Sequence, residues 1–211
     1  SMIFYDAARR TDFTIAAFAV DEPYLGADGL FLGLPQVAVG SVRNDWPPDR
    51  YDLLALHAGS DSLRERARFF ERAKAWGYTL RNYVSPGCDL APDARLGCNN
   101  VILAQSHVGL SVVMGDNNLI RQQVYLGHNS RLGDHNILTP GCRIGGFATI
   151  GSGCYLGLGC VILNRLTIAD ETLVGAGSVV LQPSEPYARI VGNPGRVIGH
   201  HPDEGICLRY G

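Results

Sequence analysis

The feature that most constrains the fold of this chain is a six-residue repeat that runs without interruption from Val84 to Val180. An amphipathic helix repeats its apolar face every 3.6 residues and a half-buried strand every two residues, so neither produces this period. A period of six is typical of a solenoid of hexapeptide units, the parallel β-helix. All seventeen positions are aliphatic or methionine, and nine of them precede glycine: Val84, Leu90, Leu96, Ile102, Val108, Met114, Ile120, Leu126, Leu132, Leu138, Ile144, Ile150, Leu156, Ile162, Ile168, Val174 and Val180.

A second column, four residues after each member of the first, supports the same fold. It contains only small or uncharged residues, with no aromatic side chain among them. A narrow prism with three faces has room for one large and one small inward side chain on each face. Three faces make a coil of eighteen residues, so residues eighteen apart should stack at about the 4.8 Å spacing of neighbouring strands. We therefore expect Asn100, Asn118 and Asn136 to form an inward ladder of hydrogen-bonded amides.

The residues before the repeat have a different pattern, that of a small α/β unit. Residues 61–76 are expected to form a helix, because Ser62 and Glu65 make a capping box and Gly77 follows its end. Strands that alternate with a helix indicate a parallel sheet, which binds ligands at the carboxyl ends of its strands. The expected strands are 13–20, 36–39, 52–56 and 79–84.

These patterns divide the chain into three parts. The strand and glycine-rich loop that usually open a nucleotide-binding sheet are not in this sequence. Residues 1–82 are therefore expected to form a truncated Rossmann-like α/β domain. Residues 83–185 should form the β-helix, and residues 186–211 a turn-rich strap and tail.

Composition excludes several classes of partner. The net charge is −2 and there is no basic tract, so nothing indicates binding to nucleic acid or anionic lipid. No apolar run approaches the roughly 18–20 residues that span a bilayer, and no signal peptide is recognisable, so we expect a cytoplasmic protein. Four of the six cysteines, Cys88, Cys142, Cys154 and Cys160, lie in the small inward column and are expected to be buried, reduced thiols.

Any chemistry must take place on the outer surface of a packed β-helix, where histidine is the first candidate. His107, His128 and His135 do not converge in the eighteen-residue coil, which disfavours a zinc site of three imidazoles. His128 should point outward beneath Gly146, which leaves space and an exposed backbone N–H. An imidazole can then accept a proton while the N–H stabilises an oxyanion. An ordinary exposed histidine at a subunit contact explains the same residues equally well.

Two motifs carry a resemblance to a known family. The Gly-His-Asn-Ser-x-x-Gly-Asp segment at 127–134 and the Val-Gly-Asn-Pro-Gly-Arg segment at 191–196 resemble those of left-handed β-helix acyltransferases. Over residues 13–198 the chain resembles bacterial sugar acetyltransferases of the sialic-acid O-acetyltransferase type, which include N-acetyltransferases of UDP-4-amino-sugars and GDP-perosamine. The resemblance implies a small nucleotide-sugar-binding α/β domain, a left-handed β-helix that trimerises, and acetyl-CoA as co-substrate.

The resemblance also implies roles for individual residues. His128 corresponds to the catalytic base, and Asn129 occupies the next position, where the family usually has an acid. Asparagine can orient the imidazole but cannot stabilise an imidazolium by charge. The positions that line acetyl-CoA correspond to Ile137, Gly146, Leu158 and Ala176, and those that bind the nucleotide sugar correspond to Asp21 and Gly59.

The expected function is direct acetyl transfer from acetyl-CoA to a sugar amine or hydroxyl in bacterial surface polysaccharide synthesis. The active sites would lie between the subunits of a homotrimer, with no metal ion and no covalent enzyme intermediate. Two alternatives remain open at this point. One is an acetyltransferase acting on serine or another small molecule that carries no nucleotide, and the other is a non-catalytic scaffold or binding module on the same fold.

Overall fold

The computed structural model describes residues 13–56, 62–202 and 205–208, and most of them form a parallel β-helix. Its strands contain two residues each and stack into three parallel sheets, which we call faces 1, 2 and 3. Face 1 contains β4 (Tyr83–Val84), β7 (Val101–Ile102), β10 (Leu119–Ile120), β13 (Ile137–Leu138), β16 (Tyr155–Leu156) and β19 (Leu173–Val174). Face 2 contains β5 (Asp89–Leu90), β8 (His107–Val108), β11 (Tyr125–Leu126), β14 (Arg143–Ile144), β17 (Val161–Ile162) and β20 (Val179–Val180). Face 3 contains β6 (Arg95–Leu96), β9 (Val113–Met114), β12 (Arg131–Leu132), β15 (Thr149–Ile150) and β18 (Thr167–Ile168).

The chain turns between faces at three corners, each of which recurs every eighteen residues. Corner A leads from face 1 to face 2 and includes residues 103–106, 121–124, 139–142, 157–160 and 175–178. Corner B leads from face 2 to face 3 and includes residues 109–112, 127–130, 145–148 and 163–166. Corner C leads back to face 1 and includes residues 97–100, 115–118, 133–136, 151–154 and 169–172.

The strand register confirms the eighteen-residue coil. Ile137 pairs in parallel with Leu119 below it and with Tyr155 above it, each eighteen positions away. The aliphatic column lies inside the prism, where every member from Ile102 to Val180 is buried. A single continuous hydrophobic core therefore runs along the axis of the β-helix.

The predicted asparagine ladder is confirmed and fully buried. Asn118 donates its backbone N–H and its side-chain amide to Asn100 Oδ1, at 2.9 and 3.0 Å. Asn136 donates its N–H to Asn118 Oδ1 at 2.9 Å, and Asn136 Oδ1 accepts from the Cys154 N–H at 2.7 Å. The ladder satisfies backbone donors that the two-residue strands leave free at corner C.

Corner C also carries an outer ladder of aspartate and serine that the sequence analysis missed. Asp116 Oδ1 accepts from the Cys98 N–H at 2.8 Å, and Asp134 Oδ1 accepts from the Asp116 N–H at 2.6 Å. Ser152 Oγ accepts from the Asp134 N–H at 3.0 Å. A Cβ atom on Gly115 would overlap the Asp134 carboxylate. The glycine that follows the aliphatic residue thus makes room for a side chain from the next coil.

The N-terminal part differs from the expected parallel sheet. In the described residues it contains β1 (Phe18–Val20), β2 (Leu30–Phe31), β3 (Leu34–Ala38), a 3-10 turn at Glu22–Tyr24, another at Val39–Ser41, and the short helix α1 (Val42–Asp45). Among these three strands only β1 and β3 pair in parallel, and β2 is antiparallel to β3. Segment 52–56 forms a single parallel bridge, from Leu53 to Leu80, and its Leu54 and Leu56 pack against face 1. A Rossmann-like domain is not confirmed.

Helix α2 (Leu63–Ala75) is the predicted helix, and it lies against corner C. Ser62 caps it by accepting from the Glu65 N–H at 3.4 Å. Arg66 is buried, which lowers its pKa to about 10, and it donates to the carbonyl oxygens of Asn117 and His135 at 2.6 and 3.3 Å. Arg64 donates twice to the Glu171 carboxylate, at 2.9 and 3.0 Å. These contacts attach the helix along corner C.

The C-terminal part closes the upper end of the β-helix. Strands β21 (Ala188–Val191) and β22 (Arg196–His200) form an antiparallel hairpin, and β21 extends face 1 by pairing with β19. Ile206 is buried and accepts a hydrogen bond from the Leu63 N–H at 3.2 Å, so the tail contacts the start of α2. No helix within the described ranges has the length and apolar character that crossing a bilayer requires.

Candidate active site at corner B

The candidate site lies at corner B, directly after β11. A Cβ atom on Gly127 would lie 2.6 Å from Gly146 N and 2.8 Å from Gly145 C, so only glycine allows the next coil to approach this closely. The Phe147 N–H donates to the His128 carbonyl oxygen at 3.0 Å, which fixes the two coils relative to each other. Close stacking of the coils therefore sets the position of His128.

The His128 side chain is exposed, and its imidazole is oriented by its neighbour in sequence. Its Nδ1 lies 3.0 Å from Asn129 Oδ1. A carbonyl oxygen only accepts, so in the neutral ring Nδ1 carries the hydrogen and Nε2 keeps a free lone pair. Asn129 has φ 58°, a left-handed conformation that asparagine adopts more readily than most residues. Asn129 thus has a backbone role as well as an orienting role.

Gly146 lies one coil above His128 and against its imidazole, as the eighteen-residue coil predicts. A Cβ atom on Gly146 would lie 2.9 Å from Nε2 and 3.1 Å from Cε1 of His128. No acceptor in the described part of the chain bonds the Gly146 N–H. The expectation that this N–H is exposed is wrong, because Gly146 is buried where the imidazole covers it.

Sequence reasoning missed two residues above His128. The Phe147 ring meets the imidazole edge to face, with centroids 5.1 Å apart and planes at 86°. The Arg165 guanidinium lies over the same phenyl ring, 4.5 Å from its centroid. Asn129, Phe147 and Arg165 are eighteen residues apart in turn, so the coil period was a signal that could have placed all three in one column.

The other residues implied by the family resemblance lie elsewhere on the chain. Leu158 and Ala176 are neighbours at corner A, both exposed. Ile137 is half-buried on face 1, and Asp21 is exposed directly after β1. Gly59 and its turn at 57–60 lie outside the described residues. One chain therefore brings together His128, Asn129 and Gly146, while the remaining assignments stay predictions.

The other two histidines of the β-helix have structural partners. His107, on face 2, lies 2.7 Å from Asp89 Oδ2 through Nδ1 and stacks on Tyr125 with centroids 4.9 Å apart. His135, at corner C, accepts from Asn117 Nδ2 at 2.9 Å, and burial lowers its pKa. The described residues contain no group of three or more His, Cys, Asp or Glu side chains placed to hold a metal ion.

Three of the four inward cysteines are buried in the core, as predicted. Cys142, Cys154 and Cys160 are buried and Cys88 is half-buried. The Cys142 and Cys160 sulfur atoms are stacked 3.6 Å apart. Burial raises the pKa of Cys154 to about 12 and that of Cys88 to about 11. Thiols with such pKa values are poor nucleophiles at neutral pH.

No protein-family model and no curated protein sequence matches the chain. Several solved structures do match it. PerB from Caulobacter crescentus, in complex with CoA and GDP-perosamine, is 26% identical over 82% of this chain and 83% of its own, with a TM-score of 0.72. A variant of GDP-perosamine N-acetyltransferase from the same organism, with the same two ligands, is 26% identical over 82% of each chain, also with a TM-score of 0.72. The acetyltransferase domain of PglB from Neisseria gonorrhoeae FA1090, in complex with acetyl coenzyme A, is 24% identical over 81% of this chain and 82% of its own, with a TM-score of 0.74.

The fold that these structures share with the chain is that of the left-handed β-helix, hexapeptide-repeat acyltransferases. Within that class, the neighbours are sugar N-acetyltransferases. The predicted resemblance to sugar acetyltransferases is therefore confirmed. Acetyl-CoA as co-substrate agrees with the CoA and acetyl-CoA bound in the neighbouring structures.

Proposed function

We propose that this protein transfers an acetyl group from acetyl-CoA to an amino or hydroxyl group of a nucleotide-linked sugar, for bacterial surface polysaccharide synthesis. The observation that carries the proposal is the arrangement at corner B. There, Nε2 of His128 lies against Gly146 while Asn129 Oδ1 lies 3.0 Å from Nδ1. Support for the substrates comes from the neighbours, which bind CoA together with GDP-perosamine.

In this mechanism His128 is the general base. Nε2 accepts a proton as the sugar nitrogen or oxygen attacks the thioester carbonyl carbon. The carbon–sulfur bond of the tetrahedral intermediate then breaks, and the imidazolium returns a proton to the CoA thiolate. Asn129 maintains the reactive tautomer throughout. Because it is neutral, it stabilises the imidazolium less than a carboxylate would.

In the proposed mechanism the Gly146 N–H stabilises the oxyanion. It has no acceptor in the described part of the chain, and it lies next to the imidazole that activates the nucleophile. A backbone N–H directed at the developing charge contributes roughly two to three orders of magnitude in rate at comparable sites.

A second copy of the chain would complete the site. Leu158, Ala176 and Ile137 lie away from corner B, so they meet His128 only across an interface between copies. Corner B and the adjoining edge of face 2 expose large apolar side chains, among them Leu110 at 59% and Leu163 at 46%. Exposed apolar surface of this kind favours association. A homotrimer with acetyl-CoA between neighbouring β-helices brings these elements together.

The test is release of free CoA from acetyl-CoA, measured with UDP-, GDP- and dTDP-linked amino sugars and with their hydroxyl counterparts. We expect turnover with one member of the panel. In His128→Ala, kcat should fall at least about 100-fold with an unchanged melting temperature, because general-base catalysis contributes 10²–10⁴-fold. The matched control is His107→Ala, which removes a half-buried histidine on face 2 and should retain activity.

Two results would contradict the proposal. Full activity of His128→Ala would exclude this residue as the base. Binding of acetyl-CoA without turnover of any sugar in the panel would favour the binding-module alternative over a nucleotide-sugar acetyltransferase.

A further inference from the structure

Positive charge is concentrated around corner B. Three successive passes of the chain, residues 125–132, 143–150 and 161–168, contain three arginines and no aspartate or glutamate. Arg131, Arg143 and Arg165 are exposed, and in the described ranges none of them forms an ion pair with a carboxylate. In a chain with a net charge of −2, this surface is a local exception that favours an anionic ligand.

A cleft lies within this positive surface. It has a volume of about 260 Å³, and Tyr125, Arg143, Gly145, Leu163 and Asn164 are among the residues that line it. Gly145 directly precedes Gly146, so the cleft opens beside the His128 site. Arg143 forms part of its wall, and Arg165 follows the wall residue Asn164 in sequence. One guanidinium, that of Arg143, therefore lines the cleft, and that of Arg165 lies over Phe147 at the same corner, next to the candidate base.

The Arg165 guanidinium is held in place. Its contact with Phe147 at 4.5 Å, and the contact of Phe147 with His128 at 5.1 Å, place the guanidinium within about 10 Å of the imidazole. A guanidinium over an aromatic ring keeps its planar fork of N–H donors, which matches two phosphate oxygens at once. A sugar ring or a thioester arm bridges the distance between such a phosphate and the reacting atom at His128.

We infer that Arg143 and Arg165 form a subsite for the diphosphate group of a substrate whose reacting end lies at His128. The inference rests on the proposed function, because that function places the reacting end of the substrate at His128. Binding of a diphosphate at the subsite does not itself require turnover. Two positive charges complement a diphosphate better than a single carboxylate. The ligands bound by the neighbours, CoA and GDP-perosamine, each carry a diphosphate, so the same chemistry has two sources.

Calorimetric binding of CoA and of GDP, UDP and dTDP tests the subsite and identifies its source. Arg143→Ala and Arg165→Ala should each weaken binding of one probe about tenfold or more, because charge-assisted hydrogen bonds are lost. Arg165→Lys should recover part of the loss. Weaker binding of CoA in the variants assigns the subsite to the acetyl donor. Weaker binding of a nucleoside diphosphate assigns it to the nucleotide sugar that accepts the acetyl group. Arg95→Ala is the matched control, since Arg95 is exposed on face 3 at the start of the β-helix.

In the donor case, the KM for acetyl-pantetheine, which has no diphosphate, should be unchanged in Arg165→Ala while the KM for acetyl-CoA rises. The inference is overturned if both variants bind every probe within twofold of the wild type, if Arg95→Ala shows an equal loss, or if the wild type binds none of the probes. Wild-type diphosphate binding that depends on Arg165, together with no acetyl transfer, would refute the proposed function and leave the subsite intact.

Discussion

Replacing Gly146 by alanine tests whether the imidazole must lie where the structure places it. The added methyl group would lie 2.9 Å from Nε2, 3.1 Å from Cε1 and 3.3 Å from Cδ2 of His128. These atoms all belong to one exposed side chain, and Gly146 does not have the positive φ that resists alanine. The imidazole should therefore move and the backbone should not.

These distances determine the expected size of the change in rate and of the change in stability. Non-bonded carbon atoms prefer separations of about 3.5–4.0 Å, so the imidazole must shift by roughly 0.5–1 Å. A displacement of about 1 Å in a catalytic group costs about 100-fold in rate. The free energy of unfolding should change by no more than about 0.5 kcal/mol, because the added methyl group displaces only an exposed side chain. Gly146→Ala should thus be a stable protein with strongly reduced kcat.

Gly127→Ala is the matched variant, because its methyl group would meet backbone instead of a side chain. The nearest atoms would be Gly146 N at 2.6 Å, Gly145 C at 2.8 Å and Ile144 O at 2.9 Å. Overpacking against atoms that cannot rotate away costs about 1–3 kcal/mol. CoA release and urea unfolding, measured on both variants, separate the two effects. Wild-type kcat in a stably folded Gly146→Ala would refute the argument, and so would a loss of stability equal to that of Gly127→Ala.

Three further predictions concern hydrogen bonds and charge. Asp134→Ala removes the acceptor of the Asp116 N–H and should lower the free energy of unfolding by about 1–3 kcal/mol in urea titrations, with Asp134→Asn recovering part of it. Burial lowers the pKa of His135, so the unfolded chain binds the proton more readily than the folded chain, and the free energy of unfolding should decline as the pH falls below about 6.5. His135→Gln should flatten this pH dependence between pH 7 and 5.5. An unchanged slope in that variant would contradict the prediction. Asn129→Asp keeps the acceptor for Nδ1 and adds a charge that stabilises the imidazolium, so kcat in the CoA-release assay should rise, whereas Asn129→Ala should lower it.

The β-helix could be predicted because the inward column is recognisable from the types of its residues and their spacing alone. Every sixth position must be aliphatic to fill the prism, so the period fixes the register, and the register places Gly146 over His128. The N-terminal part has no repeated column whose members all indicate the same register. A short apolar run such as 52–56 indicates burial but does not identify the surface that covers it. Leu54 and Leu56 are half-buried against face 1, and the expected strand is reduced to one bridge.

The candidate site was harder to predict, because outward residues do not repeat and their role depends on what covers each corner. Corner C lies under α2, where Arg66 bonds the backbone and Asn117 bonds the ring of His135. That histidine is half-buried, and its lone pair at Nδ1 is already used. At corner B the described residues place no helix over His128, so its Nε2 stays free and the guanidinium of Arg165 stays unpaired with any carboxylate. The two corners have the same backbone repeat, so the docking of α2 on one corner is what leaves the other available for chemistry.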